Sequence, residues 1–128
     1  MIDTIKLANY VLNQAKNEIV NIFDLEYRVN KVDLERAYDE FLFHEEYEKC
    51  SICMEFINSG KFNNQELSWF YTVDRIQEEK IHLEQLLEME MYDNSNAETT
   101  FVLGIKGILS EIDEVECDII KSIDCVHN

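Results

Sequence analysis

Residues 100–126 read TFVLGIKGILSEIDEVECDIIKSIDCV, and the spacing within this stretch decides the fold. Ile105, Ile108, Ile112, Val115, Ile119, Ile123 and Val126 follow one another at intervals of three and four, which puts them on one side of an α-helix. The helix is expected from about Ala97 or Thr99, with Thr99 or Thr100 as N-cap, to Val126. Upstream, a second stripe, Trp69, Val73, Ile76, Leu83 and Leu87, predicts a helix from Asn63 or Asn64 to the polar run Asp93-Asn94-Ser95-Asn96. Lys80 interrupts that stripe where the period asks for an apolar residue.

Before it, residues 33–58 read as one long helix, capped by Asp33 and stopped by Ser59-Gly60. Its apolar side changes partway. Leu34, Ala37, Tyr38 and Phe41 share one face, then Glu45 and Glu48 take that face while Phe43, Tyr47, Cys50, Met54 and Ile57 line the opposite one. A single helix burying two faces is the expectation. The first helix begins after Asp3 or Thr4 and carries Ile5, Ala8, Leu12, Ala15 and Ile19, followed by the weaker segment 22–29 and a turn at Asn30-Lys31. The fold class is therefore all-α. An N-terminal helical hairpin, residues 1–32, packs on an antiparallel three-helix bundle, residues 33–128, with coiled-coil-like stripes.

Composition agrees. The chain has 128 residues, the size of one domain, with no Pro and only three Gly to break helices. No stretch approaches the roughly 18 uninterrupted apolar residues of a spanning helix. The start, Met1-Ile2-Asp3-Thr4-Ile5-Lys6, lacks a basic segment followed by an apolar run, so a cytoplasmic protein without membrane contact is expected.

The charge is extreme. Twenty-seven Asp and Glu face eleven Lys and Arg, a net charge of −16, in a sequence that is 46% hydrophobic and can still pack a core. Residues 1–32 balance, with Asp3, Glu18, Asp24 and Glu26 against Lys6, Lys16, Arg28 and Lys31. The whole excess lies downstream, spread at helical spacing over folded helices. Solubility of a small domain asks only for a net charge of about 2–8 in magnitude.

The residues able to carry chemistry form only partial patterns. Residues 19–43 have the general outline of a helix-turn-helix, but its second helix presents Glu35, Asp39, Glu40, Glu45 and Glu46 against Arg36, which repels phosphate. Cys50-x-x-Cys53 has the spacing of an opening zinc-ligand pair, yet no further close-spaced Cys or His ligands follow. Cys50 falls on the apolar stripe and reads as a buried thiol; Cys117 and Cys125 read as exposed ones. Glu79-x-x-His82 matches half of a di-iron bundle motif, without its second copy. His82 projects from the stripe beside Asp74 and Glu78, an arrangement that reads as a solvated ladder. His44 and His127 have no partner in sequence. No metal, cofactor or catalytic group is assigned, and an enzyme is not expected.

What remains is the array of carboxylates. One helical turn, about 5.4 Å, is near the phosphate spacing of roughly 7 Å along a nucleic-acid strand. The composition therefore points to a small interaction protein that binds and inhibits a basic partner, a nucleic-acid-processing enzyme above all, as anti-defence, anti-restriction and DNA-mimic proteins do. The expected contact residues are Glu45, Glu46, Glu48, Glu111, Glu114 and Asp118, with Tyr92 as an aromatic anchor. An antitoxin or immunity protein against a basic toxin, a helix-turn-helix regulator and a metal-dependent bundle enzyme are the alternatives. Lys80 within a stripe and the two-faced helix leave room for a homodimer.

Overall fold

The structure, a computed structural model, describes residues 2–17, 19–20, 25–93 and 100–124. Five helices account for its extended regular structure: α1 (Thr4–Lys16), α2 (Lys31–Phe43), α3 (Tyr47–Asn58), α4 (Trp69–Asp93) and α5 (Thr100–Asp124). The protein is all-α, as expected. Among the described residues between α1 and α2, the regular structure is a two-residue ladder, β1 (Ile19–Val20) against β2 (Leu25–Glu26), antiparallel with Ile19 opposite Glu26. The described residues of the second limb of the expected N-terminal hairpin, 19–20 and 25–30, are thus not helical, and they do not supply the first helix of the helix-turn-helix outline read over 19–43. This segment of β-branched and aromatic residues has too short an amphipathic pattern to sustain a helix.

Asp3 caps α1, its carboxylate accepting from the Ile5 amide at 3.1 Å. The helix buries Leu7, Ala8, Val11, Leu12 and Ala15. It packs along α2, where Leu34, Ala37 and Phe41 are fully buried.

The expected long helix over 33–58 is two helices. The chain leaves α2 at His44, Glu45 takes a left-handed φ of 58°, and α3 restarts at Tyr47. The change of stripe has a simple cause: each face belongs to its own helix. Leaving the helix frees α3 to fold back on α2 and bury Cys50 and Cys53, with Phe56 and Ile57 packed beside them. The face expected to be buried in the second half is largely open, since Phe43, Tyr47 and Met54 are exposed.

Asp33 also does something other than expected. Asn30 caps α2, its side chain accepting from the Val32 amide at 2.8 Å. Asp33 is fully buried and caps α4 instead, accepting from the Trp69 and Phe70 amides at 2.8 and 3.1 Å and from the Ser68 hydroxyl at 2.7 Å. Ser68 in turn accepts from the Tyr71 amide. Unsatisfied amides at a helix start attract an anion, and a buried carboxylate needs such donors, so each meets the other's requirement. Helix α4 accordingly starts at Trp69. Residues 63–66 form a turn held to the start of α2, with Asn63 N–H donating to the Val29 carbonyl and Asn30 donating to the Asn64 and Glu66 carbonyls.

Helices α4 and α5 pair as an antiparallel hairpin. Lys80 and Asp113, each thirteen residues from the helix end beside the connection, meet at 3.1 Å. The buried line on α5 runs through Val102, Ile105, Leu109, Ile112, Glu116, Ile119 and Ile123, with Leu109 and Ile112 half-buried. It shares Ile105, Ile112, Ile119 and Ile123 with the stripe read from sequence, but replaces Ile108 and Val115 by their neighbours Leu109 and Glu116. The reason is Lys80. Its ammonium lies 3.6 Å from the carboxylate of Glu116, whose side chain is 9% exposed, so a charged position on each helix completes the seam. Ile108 and Val115 are turned outward. Both grounds for a homodimer, the interrupting lysine and the two-faced helix, are thereby explained within one chain. Among the described residues, no helix is long and apolar enough to cross a membrane.

The near end of the hairpin completes the core, as Phe70, Val73, Ile119 and Ile123 join the cluster built on α1, α2 and α3. Val102 and Ile105 are buried outside that cluster, within the part of the hairpin nearer its connection.

Candidate functional site

Two acidic surfaces hold the residues singled out from sequence, and they lie on different elements. Glu45, Glu46 and Glu48 sit at the α2–α3 corner; Glu111, Glu114 and Asp118 sit on α5. Helix α3 packs mainly on α2, whereas α5 packs on α4 and α1, so the six do not form one patch.

At the corner, sequence and left-handed backbone act together. A non-glycine residue at positive φ costs about 1–2 kcal/mol, and the turn at Glu45 throws its side chain into solvent. Glu48 is exposed in the first turn of α3, where a carboxylate is favoured by the helix dipole. Glu46 is different. One carboxylate oxygen lies 3.3 Å from the Lys49 ammonium and the other is buried without a hydrogen-bond partner among the described residues. It is committed to the fold. Lys49 also donates to the Asn9 side chain on α1 at 2.8 Å and lies over the Phe41 ring. What sequence reasoning missed is the aromatic content: Phe43, expected to be buried, is 82% exposed, and Tyr47 is 61% exposed. Leu42 beside them is exposed too. The available signal was the change of stripe itself, which marks a corner once two helices are allowed.

On α5, Glu111, Glu114 and Asp118 are exposed and make no ion pair among the described residues. Other carboxylates do. Asp124 meets Lys6 at 3.3 Å, Asp113 and Glu116 meet Lys80, and Asp74 takes Arg36 in a two-pronged contact at 2.8 and 3.5 Å. Helices α4 and α5 together carry thirteen Asp and Glu against four Lys and Arg, a net −9 of the total −16. The backbone of Tyr92 belongs to α4, but its side chain lies outside the described residues, as do Cys125 and His127.

The other chemical candidates resolve locally. Arg36, the one basic residue in the helix considered for DNA, is spent on Asp74 and stacks over Phe70. The hydrogen bond it donates to Asp74 holds its guanidinium more firmly protonated than usual. Because Asp74 is turned to Arg36, it does not join Glu78 and the exposed His82; among the described residues no three His, Cys, Asp or Glu side chains converge on a cation position. Cys50 and Cys53 are buried free thiols, as expected for Cys50, and burial, then the neighbouring Cys50, pushes the Cys53 thiol up to about 12. Cys117 is exposed.

Comparison with known proteins adds no functional assignment: no family model matches this chain, and neither does any curated protein or solved structure.

Proposed function

We propose that this is a small, non-enzymatic, acidic interaction protein that binds and inhibits a basic partner, with a nucleic-acid-processing enzyme as the partner class. The α2–α3 corner carries the reading. Solubility explains carboxylates on a surface, but it does not explain Phe43 and Tyr47 exposed on either side of Glu45, a residue held at a left-handed φ. Aromatic anchors within a polar rim are the usual composition of a binding hot spot. Glu45 and Glu48 supply the long-range attraction toward basic surface, and Phe43 and Tyr47 supply contact area.

The test is capture with the tagged protein from cells that carry the partner, washed at low and high salt, followed by a variant combining Glu45→Lys, Glu48→Lys and Phe43→Ala. A basic protein recovered at low salt, weakened by salt and lost to the variant, with helicity unchanged, supports the reading. Recovery of no basic partner overturns it. Full retention by the variant moves the interface off this corner.

A further inference from the structure

The outer face of α5 carries an apolar line that the fold does not use. Phe101, Ile108 and Val115 recur every seven residues, each one position before a seam residue, and are 53%, 48% and 47% exposed. Residues three apart share a helix face, which sets Gly104 beside Phe101, Glu111 beside Ile108 and Asp118 beside Val115. Gly107 and Glu114 continue the same surface. The two glycines are informative because each costs a helix interior about 1 kcal/mol relative to Ala. A Cβ added at either would meet nothing within 4 Å, so no packing among the described residues requires the space they leave. Glu111, Glu114 and Asp118 make no ion pair among the described residues, and their hairpin is net −9.

We propose that this face is a docking groove for an amphipathic helix of the basic partner, its apolar side seated on Phe101, Ile108 and Val115 and its flanking Lys or Arg reaching Glu111, Glu114 and Asp118. The inference rests on the basic-partner reading above and adds the form of the ligand. Charge complementarity selects this occupant over a second copy, which would bring another −16 against the same carboxylates. The glycines let the incoming backbone come close at one end of the groove, and the carboxylates set its direction. A helix laid on an apolar surface presents anchors at i, i+3 or i+4, and i+7, and the seven-residue repeat of this line, about two turns, matches the i to i+7 spacing.

The probe is a synthetic helical peptide of roughly five turns, with Leu along one face and Lys on both flanks, compared by fluorescence anisotropy with a scrambled peptide of the same composition. The patterned peptide is expected to bind at least tenfold more tightly than the scrambled one. Ile108→Glu with Val115→Glu should remove that preference, and Leu103→Glu, equally exposed but on the other flank of α5, should keep it. Should the first pair perturb helicity, Ile108→Ser with Val115→Ser serves in its place. Equal binding of the two peptides overturns the groove and leaves the basic-partner reading standing, because charge alone then suffices. No binding of either peptide removes both. A sedimentation profile showing a dimer that Ile108→Glu dissociates assigns the face to a second copy and overturns the proposal as well.

Discussion

Asp33 shows how much one carboxylate can hold when both of its oxygens accept hydrogen bonds. Its two oxygens take two amides and a hydroxyl from the start of α4 at 2.7–3.1 Å, in full burial. Hydrogen bonds to a charged group contribute about 1.5–3 kcal/mol each, and they are not additive. Asp33→Ala should therefore lower unfolding stability by about 2–4 kcal/mol, with amide exchange at Trp69, Phe70 and Tyr71 accelerated first; loss of stability without that local signature would assign the effect elsewhere. Glu45 predicts the opposite sign. Glycine tolerates its φ of 58°, and relief of strain exceeds the added chain entropy of glycine, so Glu45→Gly should raise stability by up to about 1 kcal/mol in urea titration while weakening partner capture. At the thiols, Cys117 should react first with a disulfide reagent and Cys53 only on unfolding, since burial disfavours its thiolate. Fast labelling of Cys53 in the folded protein would contradict its burial.

Among the elements, the α4–α5 hairpin rests on a seam that contains the Lys80–Glu116 ion pair. Removing Lys80 alone, as in Lys80→Met, leaves Glu116 poorly solvated and should cost about 1–2 kcal/mol, less than the roughly 3–5 of a fully buried pair because Lys80 keeps some exposure. Adding Glu116→Leu should restore most of that. Hydrogen bonding to Asp113 raises the Lys80 pKa; burial, the next effect, lowers it, and the charges of Glu116, Asp113 and Glu84 raise it further. The pair's contribution is thus complete below about pH 10.4 and disappears as pH rises through the higher folded value; urea midpoints of wild type and Lys80→Met should converge there. This seam also marks the limit of what the sequence discloses. The existence of α1, α4 and α5 was legible, because long stripes dominate. The true line on α5 was not, because Glu116 looks like a surface residue until Lys80, 36 positions away, is placed against it. The break at residues 44–46 was hidden for a related reason: it contains neither Pro nor Gly, and only the migrating stripe marked it. Exposure of Glu45, Glu48, Glu111, Glu114 and Asp118 was readable from those stripes, whereas Glu46 and Phe43 depended on where α3 turned.

For the whole molecule the net charge sets the response to salt. Carboxylates in excess repel one another across the surface, and the screening length falls from about 30 Å at 0.01 M to about 8 Å at 0.15 M ionic strength. Thermal stability should rise over that interval while affinity for a basic partner falls, a divergence that calorimetry and binding on the same samples would detect. A parallel fall of both would mean that internal ion pairs such as Arg36–Asp74 outweigh the surface repulsion. The cap that α2 places on α4 carries a last implication, for the order of assembly. Helix α4 finds the acceptor for its first amides 36 residues earlier in the chain. During synthesis that acceptor emerges first, so the capping group for the second half is present before the second half exists.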